Sequence, residues 1–209
     1  ANGSGIVIEG NYIGLLANGT DPGDGERVNH GVEIGGGSST VRDNLVAHTE
    51  SGGLLIESTA TITGNDIYQS SMQSVTGDGI STENTSGEVI SITGNRIDDT
   101  AAYGIESWNA PGPFTFEHNT VSDSGNGGGA EIGGIRIFGT GSTVRYNVST
   151  GAVGAGIAVV QIAGANSQNL ISKNSTYANG GLSIDIDATN FAQPNGDGVT
   201  PNNGAMNVG

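Results

Sequence analysis

The sequence has no cysteine and very few aromatic residues. Its 209 residues are 34% hydrophobic and 5% aromatic, and both values are low for an ordinary globular protein. Without cysteine the chain has neither a disulfide framework nor a thiolate metal site, and redox chemistry says nothing about its compartment. The chain is long enough for one domain, but its small hydrophobic fraction predicts a narrow core.

Basic residues are scarce as well. Six Lys and Arg stand against 21 Asp and Glu, which gives a formal net charge of −15. Such a chain repels nucleic-acid phosphates and anionic membrane surfaces, and none of its hydrophobic runs approaches the length of a membrane span. Neither nucleic-acid binding nor membrane insertion is therefore expected. The opening ANGSGIVIEG lacks the regions of a signal peptide, so either a leader has been removed or the sequence is an excised segment.

A short motif recurs seven times along the chain. An aliphatic or aromatic residue lies three positions before an Asn, and another apolar residue usually lies two positions after it; the last two copies have Ser149 and Thr176 there. The seven Asn residues are Asn11, Asn44, Asn65, Asn95, Asn119, Asn147 and Asn174. A repeat of only approximate period indicates a solenoid.

A second marker is a glycine followed by alternating apolar residues. It begins at Gly31, Gly53, Gly79, Gly104, Gly134, Gly156 and Gly181, with intervals of 22, 26, 25, 30, 22 and 25 residues. A constant minimum with variable additions is expected when loops of different length extend from one repeated unit. The alternation of apolar residues has the period of β-strands.

These two markers predict an all-β fold, a right-handed single-stranded parallel β-helix of about seven turns with three short strands per turn. The β-helix covers residues 1–187, and residues 188–209 form an irregular tail that caps the solenoid or joins subunits. Turns stack at about 4.8 Å, so the seven Asn residues form a ladder. Asn tolerates the left-handed conformation at a tight bend, and stacked amides hydrogen-bond along the column.

With these repeats the sequence resembles the pectate-lyase-like superfamily of parallel β-helix proteins over essentially its whole length. The segments GNYIGLLANGT, GVEIGGGSSTVRDN and GGLSIDID resemble parts of large bacterial exported or cell-surface proteins. The resemblance implies an extracellular or cell-surface location. It does not select an activity, because the superfamily includes lyases, hydrolases, epimerases, adhesins and phage fibres.

Residues suited to catalysis are hard to find. Lyases of the superfamily use an Arg or Lys base, commonly with carboxylates that hold calcium, and Arg27 is the one candidate base, without an identifiable companion. Asp98 and Asp99 are adjacent, so they face opposite sides of a strand, and the Gly-His-Gly segment of related hydrolases is missing. The three histidines have no metal-like spacing. These observations favour a protein that is not an enzyme.

The outward-facing residues are more informative. The fourth residue after each marker glycine should point outward, which gives the column Gly35, Glu57, Glu83, Trp108, Phe138, Val160 and Asp185. Glu57 and Glu83 would lie in adjacent turns, where repulsion between them favours a bound cation or a raised pKa. In the neighbouring column Glu106 and Arg136 should form an ion pair, which contributes little if it is exposed.

The second half of this column is apolar. Trp108, Phe138 and Val160 would form an exposed strip that contacts sugar faces or another protein, unless a loop covers it. The insertion from Tyr68 to Asp78 is one segment that could fold over this face.

The end of the chain offers carboxylates for a second calcium site. Asp185, Asp187 and Asp197 offer carboxylates there, although their spacing is not that of an EF-hand. Calcium is therefore a possible ligand both here and at Glu57 and Glu83.

The two ends of the predicted solenoid show no amphipathic helix to cover them, and open strand edges invite pairing. We expect head-to-tail stacking of copies into a fibre, or continuation into further turns of a longer chain. Together these features favour a non-enzymatic extracellular structural or adhesive module of a bacterial surface protein or fibre. The alternatives are a polysaccharide-active, lyase-like enzyme and a carbohydrate-binding module that uses the Trp108 strip.

Overall fold

The chain winds through three parallel β-sheets that surround one core. The computed structural model describes residues 4–83, 87–108, 112–130, 132–160 and 168–187. No helix occurs in these ranges, and so none that is long and apolar enough to cross a membrane. The proposed tail, residues 188–209, and Asp197 within it lie outside the described residues.

Twenty-one short strands make up the described ranges. In chain order they are β1 (Ile6–Glu9), β2 (Tyr12–Ile13), β3 (His30–Ile34), β4 (Ser39–Arg42), β5 (Leu45–Ala47), β6 (Gly52–Ile56), β7 (Ala60–Thr63), β8 (Asp66–Ser70), β9 (Ile80–Glu83), β10 (Ile90–Thr93), β11 (Arg96–Thr100), β12 (Tyr103–Trp108), β13 (Phe114–Glu117), β14 (Thr120–Ser124), β15 (Gly133–Ile137), β16 (Thr143–Arg145), β17 (Val148–Thr150), β18 (Ala155–Val160), β19 (Leu170–Ser172), β20 (Ser175–Tyr177) and β21 (Ile184–Asp187).

Every strand pairs in parallel with the strand three places along the chain. Sheet A has the order β1-β4-β7-β10-β13-β16-β19, sheet B has β2-β5-β8-β11-β14-β17-β20, and sheet C has β3-β6-β9-β12-β15-β18-β21. Three consecutive strands therefore make one turn, and seven turns are stacked. This arrangement confirms the predicted right-handed parallel β-helix with three strands per turn.

The core consists of columns of equivalent side chains. In sheet A, Ile62 pairs in register with Ile92, which pairs with Phe116, and all three side chains have no exposed surface. In sheet B, Ile67 and Ile97 stack in the same way. Each of these residues belongs to the Asn-centred motif, so the apolar positions of that motif form the inward columns.

Glycine is required at the marker positions for steric reasons. A Cβ atom on Gly79 would lie 2.4 Å from Cγ2 of Ile97 and 2.6 Å from the carbonyl oxygen of Gly104. The inward side chain of sheet B fills the space that a side chain at the start of the sheet C strand would need. A larger residue at Gly79 would therefore push two sheets apart.

The last glycine marker was misplaced by the sequence interpretation. Strand β21 pairs Ile184 with Ile157 and Asp185 with Ala158, so Ser183, and not Gly181, follows Gly156 in the column. The prediction that Asp185 continues the column of Val160 is therefore wrong, because Asp187 is the backbone partner of Val160.

The asparagine ladder is complete through all seven turns. Nδ2 of Asn65 donates to Oδ1 of Asn95 at 2.9 Å, and the backbone N–H of Asn65 donates to the same oxygen at 2.9 Å. Nδ2 of Asn95 also reaches back to the carbonyl oxygen of Ile62 at 3.0 Å. The same side-chain contact joins every successive pair from Asn11 to Asn174. The ladder thus satisfies polar groups that the tight bend would otherwise leave buried without a partner.

One detail of the bend differs from expectation. The left-handed residue is the one before each Asn: Gly64 and Gly94 both have φ of 66°, and His118 and Tyr146 have φ of 57° and 58°. The prediction that Asn itself adopts this conformation is wrong. The preceding residue turns the chain with its side chain outside, and the Asn side chain is thereby aimed inward to the ladder.

We expect Asn95→Ala to destabilise the protein by about 1–3 kcal/mol for each buried group left without a partner. The substitution removes the oxygen that accepts the Asn65 N–H, in a position where Asn95 is 2% exposed. Asn126→Ala is the matched control, because Asn126 is exposed and its side-chain amide donates to Asp99 and to the carbonyl oxygen of Asp123. Equal urea midpoints for wild type and Asn95→Ala would show that the ladder contributes nothing to stability.

Candidate functional site

A groove of about 410 Å³ lies on the outward face of sheet C. Strands β6, β9 and β12 form its floor, and the segment between β8 and β9 forms one wall. The residues that line it are His30, Ser51, Gly52, Leu54, Leu55, Ser74, Thr76, Gly77, Asp78, Ser81, Glu83, Glu106 and Trp108. The lining is mostly polar and contains one large aromatic side chain.

The floor follows from the alternation of residues in β9 and β12. Ile80 and Ile105 point into the core and have no exposed surface. The alternating positions face outward, where Glu106 pairs in register with Ser81 and Trp108 pairs with Glu83. This pairing agrees with the predicted outward column at its central step.

The wall is fixed at both ends by hydrogen bonds. The hydroxyl of Ser71 lies 3.0 Å from the carbonyl oxygen of Ser51, and the backbone N–H of Met72 donates to the carbonyl oxygen of Thr49 at 2.8 Å. At the other end the carboxylate of Asp78 accepts the Tyr103 N–H at 2.8 Å. The insertion that was expected to fold over this face therefore borders the groove as an anchored segment.

A buried ion pair lies beside the groove. Arg136 has no exposed surface, and its guanidinium forms an ion pair with Glu106 of the preceding turn. The guanidinium carbon also lies 4.8 Å from the ring centre of Trp108 and 5.3 Å from that of Tyr103. Gly133, in register with Tyr103, makes room for this ring, since a Cβ atom there would lie 2.7 Å from it. The predicted pair forms, but its burial makes it different from a weak surface salt bridge.

The apolar strip is less exposed than expected. Trp108 and Phe138 are both partly buried, so each offers only part of its side chain to solvent. The reason at Trp108 is its packing against Arg136. The side chain of Val160 lies outside the described residues. Trp108 is the member of the strip that reaches the groove.

Glu83 is the groove carboxyl whose pKa is raised. Partial burial raises its pKa above the usual 4.5, the neighbouring carboxylates Glu57 and Glu106 raise it further, and His30 acts in the opposite direction. The direction agrees with the predicted repulsion between Glu57 and Glu83, although burial is the larger cause.

Those predicted calcium ligands that the structure describes do not form a metal site of three or more carboxylates or histidines. Within the ranges described above, no group of three or more His, Cys, Asp or Glu residues is arranged to hold a metal ion. Asp185 is 6% exposed and stacks on Ala158, whereas the side chain of Asp187 and all of Asp197 lie outside the described residues. Glu57 and Glu83 remain a pair of carboxylates without a third ligand in that part of the chain.

The basic side chains do not line the groove. Arg27 forms ion pairs with Asp21 and Asp24; these contacts raise the pKa of Arg27 and lower the pKa of Asp21 to about 2. Arg27 is therefore unsuited to the role of a base. All six Lys and Arg residues of the sequence fall in the described ranges, and none lines the groove.

Sequence reasoning missed His30 and Asp78 as groove residues. Each directly precedes a marker glycine, Gly31 or Gly79, at the start of a sheet C strand. Because strand residues alternate between faces, the position before an inward-facing marker glycine faces outward. That signal was available in the sequence.

The chain is similar in fold to known proteins. The family described as "right handed beta helix region" matches residues 1–134. The crystal structure of pectate lyase Pel9A superimposes with a TM-score of 0.51 and 15% sequence identity, over 76% of this chain and 50% of that chain. The match thus spans half the length of that lyase chain, and at this identity it shows the fold alone. No curated protein sequence matches the chain.

We expect Arg136→Met to destabilise the protein by about 3–5 kcal/mol, because Glu106 would remain buried without its cation. The double variant Arg136→Met with Glu106→Leu should recover most of this loss. Arg96→Met is the control, since the Arg96 pair with Asp66 is exposed and should contribute at most about 1 kcal/mol. Urea unfolding measures all three, and similar losses for Arg136→Met and Arg96→Met would contradict the buried pairing.

Glu83→Gln should raise the melting temperature at neutral pH and leave it unchanged well below pH 4.5. A carboxyl whose pKa is raised by folding disfavours the folded state once it ionises, and this penalty disappears where both states are protonated. The expected gain is about 1–2 °C, as for a few tenths of a kcal/mol in a domain of this size. Glu26→Gln, in an exposed loop, is the control, and an equal gain at both pH values would contradict the assignment.

Proposed function

Because the chain belongs to the family of right-handed β-helix proteins, we propose that it is a non-enzymatic, extracellular adhesive module that binds a neutral polysaccharide in the sheet C groove. The module would belong to a bacterial surface protein or fibre. In this proposal the β-helix supplies a rigid face, and the groove supplies the adhesive contact.

The observation that carries the proposal is the position of Trp108 among polar groove residues. An indole ring offers a flat apolar surface on which a sugar ring packs, and Ser81, Glu83 and His30 offer hydrogen-bonding groups for sugar hydroxyls on the same wall and floor. A volume of about 410 Å³ is within the usual range of ligand pockets. Trp108 is also held in place by its contact with Arg136, so it is ordered before a ligand arrives.

The charge of the groove favours a neutral ligand. Glu83, Glu106 and Asp78 contribute carboxyl groups, and the charge of Arg136 is matched by Glu106. An acidic polysaccharide would bring further negative charge to this surface, and like charges at an interface cost several kcal/mol. Neutral glycans avoid this repulsion.

A polysaccharide-active enzyme is the alternative, and Glu83 is the residue that favours it. A carboxyl with a raised pKa in a cleft is the arrangement of a general acid. Glu106, which forms an ion pair with Arg136, is a second carboxylate of the groove. Lyase-like chemistry is less well supported, because no Lys or Arg lines the groove to act as the base.

Fluorescence tests the binding directly, because Trp108 is the only tryptophan of the chain. Titration with neutral oligosaccharides should change the emission in a saturable way, and acidic oligosaccharides should not, with or without calcium. Glu83→Gln should weaken binding about tenfold, as expected for loss of one charge-assisted hydrogen bond. Glu26→Gln should have no effect.

Two results would overturn this proposal. Stronger binding of an acidic than of a neutral glycan would refute the ligand class. New reducing ends or unsaturated products that form with wild type, and disappear with Glu83→Gln, would establish the enzyme alternative instead.

A further inference from the structure

We propose that Asn18 is a site of spontaneous covalent modification, at which the side-chain amide becomes a carboxylate through a cyclic imide. The site lies in the loop between β2 and β3. It needs only water as a reactant, and it does not depend on the groove or on the ligand proposed for it. The structure describes three Asn–Gly pairs at which this chemistry could occur, namely Asn18–Gly19, Asn126–Gly127 and Asn179–Gly180.

The reaction takes place between an asparagine and the backbone nitrogen that follows it. The nitrogen of Gly19 loses its proton to a solvent base and attacks Cγ of Asn18, which closes an imide ring. The bond between Cγ and Nδ2 breaks, and Nδ2 takes up a proton and leaves as ammonia. Water then opens the ring at either carbonyl carbon, so the product is aspartate or isoaspartate. Glycine favours ring closure because it has no side chain in the way.

The space around the glycine differs between the three pairs. A Cβ atom on Gly19 would have no heavy atom within 4 Å, and Gly19 is exposed. A Cβ atom on Gly127 would lie 2.7 Å from Cβ of Ala101, and one on Gly180 would lie 2.3 Å from the carbonyl oxygen of Val153. Closing the imide ring changes the path of the backbone at the glycine. The loop around Gly19 has room for this change, whereas the other two glycines are crowded by neighbouring turns.

The amide carbonyl of Asn18 is also prepared for attack. Its Oδ1 accepts the Thr20 hydroxyl at 2.7 Å and the Thr20 N–H at 3.1 Å. Two donors on a carbonyl oxygen stabilise the negative charge that develops there when a nucleophile adds to the carbon. Both residues are exposed and belong to the same short segment, so the donors can follow the side chain as the ring closes.

The other two asparagines are tied to neighbouring turns. Nδ2 of Asn126 donates to the carboxylate of Asp99, in the preceding turn, at 3.2 Å. Asn179 is partly buried; its Oδ1 accepts the Ala152 N–H at 3.0 Å, and its Nδ2 donates to the carbonyl oxygen of Ser149 at 3.1 Å. Each of these side chains has to break such bonds before its Cγ can turn toward the next backbone nitrogen. Their reaction therefore requires a local opening of the structure.

Conversion of Asn18 changes the loop in two ways. It adds one negative charge to a segment in which Asp21 is paired with Arg27. In the isoaspartyl product the main chain also runs through the former side chain, which lengthens the turn that the Leu16 N–H closes on the carbonyl oxygen of Thr20 at 2.9 Å. Both effects fall on the loop, outside the stacked strands.

Peptide mapping by mass spectrometry of the full chain, aged in mildly alkaline buffer, tests this assignment. In the folded protein Asn18 should convert at least about tenfold faster than Asn126 and Asn179, because those two react only after local opening. In urea the three pairs should convert at similar rates. Mapping keeps these peptides apart from the Asn–Gly pairs that lie outside the described residues, at Asn2, Asn195 and Asn203.

Two variants test the chemistry at the site. Thr20→Val removes the hydroxyl donor and should slow the conversion of Asn18 about fivefold, as for loss of one hydrogen bond in the transition state. Gly19→Ala should slow it at least about tenfold by hindering the attack. Gly25→Ala is the matched control, because Gly25 lies in the same loop, has a φ of 83° against 81° for Gly19, and also has open space around it. Its rate should equal that of wild type.

A methyltransferase specific for isoaspartate, supplied with a labelled methyl donor, gives a second readout. The peptide that contains Asn18 should be labelled in aged wild type and unlabelled in Asn18→Gln. Similar rates at Asn18, Asn126 and Asn179 in the folded protein would overturn the proposal. So would a Thr20→Val rate equal to that of wild type, equal slowing by Gly19→Ala and Gly25→Ala, or an Asn18 that converts in urea and stays intact in the folded chain.

Discussion

The structure depends on the exact vertical repetition of one buried amide. Each Asn of the ladder satisfies backbone groups of the turn before it and offers its oxygen to that turn as an acceptor. A shift of one residue in any turn would break these bonds and turn the inward side chains outward. The ladder therefore sets the register in which all other columns stack. Because the bends are fixed in this way, insertions are confined to the segments between them, and loops of different length are tolerated there.

The groove is a consequence of the same register. Glu83 and Trp108 are adjacent because their turns stack in step, although 25 residues separate the marker glycines Gly79 and Gly104 of those turns. The wall is added by the insertion after β8, whose ends hydrogen-bond to the neighbouring turns. The stacked strands therefore form the floor of the groove, and the segment between β8 and β9, whose length is not fixed by the repeat, forms its wall.

Sequence repeats predicted the columns well, because each column has a steric or hydrogen-bonding requirement that restricts residue type. Asn at the ladder and Gly where sheet C approaches sheet B are both of this kind. The last turn was misread because a shift of two residues, from Ser183 to Gly181, preserves the alternation of inward and outward side chains. Periodicity alone cannot detect such a shift.

The site was less predictable, because its environment depends on contacts between turns. Outward alternation identified Glu83 and Trp108, but the burial of Arg136 depends on packing against Tyr103 and Trp108. The sequence could indicate that Arg136 lies beside Glu106 of the preceding turn. It could not indicate that the pair is excluded from water, since alternation places both residues on the outer face of the sheet.

The distribution of positive charge links the fold to the proposed ligand. Four of the five arginines pair with a carboxylate in the same column of the preceding turn, namely Arg42 with Glu9, Arg96 with Asp66, Arg136 with Glu106 and Arg145 with Glu117. Arg27 is held by two aspartates of its own loop. A chain with so few cations thus uses its arginines to relieve repulsion between stacked turns. The groove is left acidic for the same reason, and its chemistry favours ligands that carry hydroxyl groups over ligands that carry negative charge.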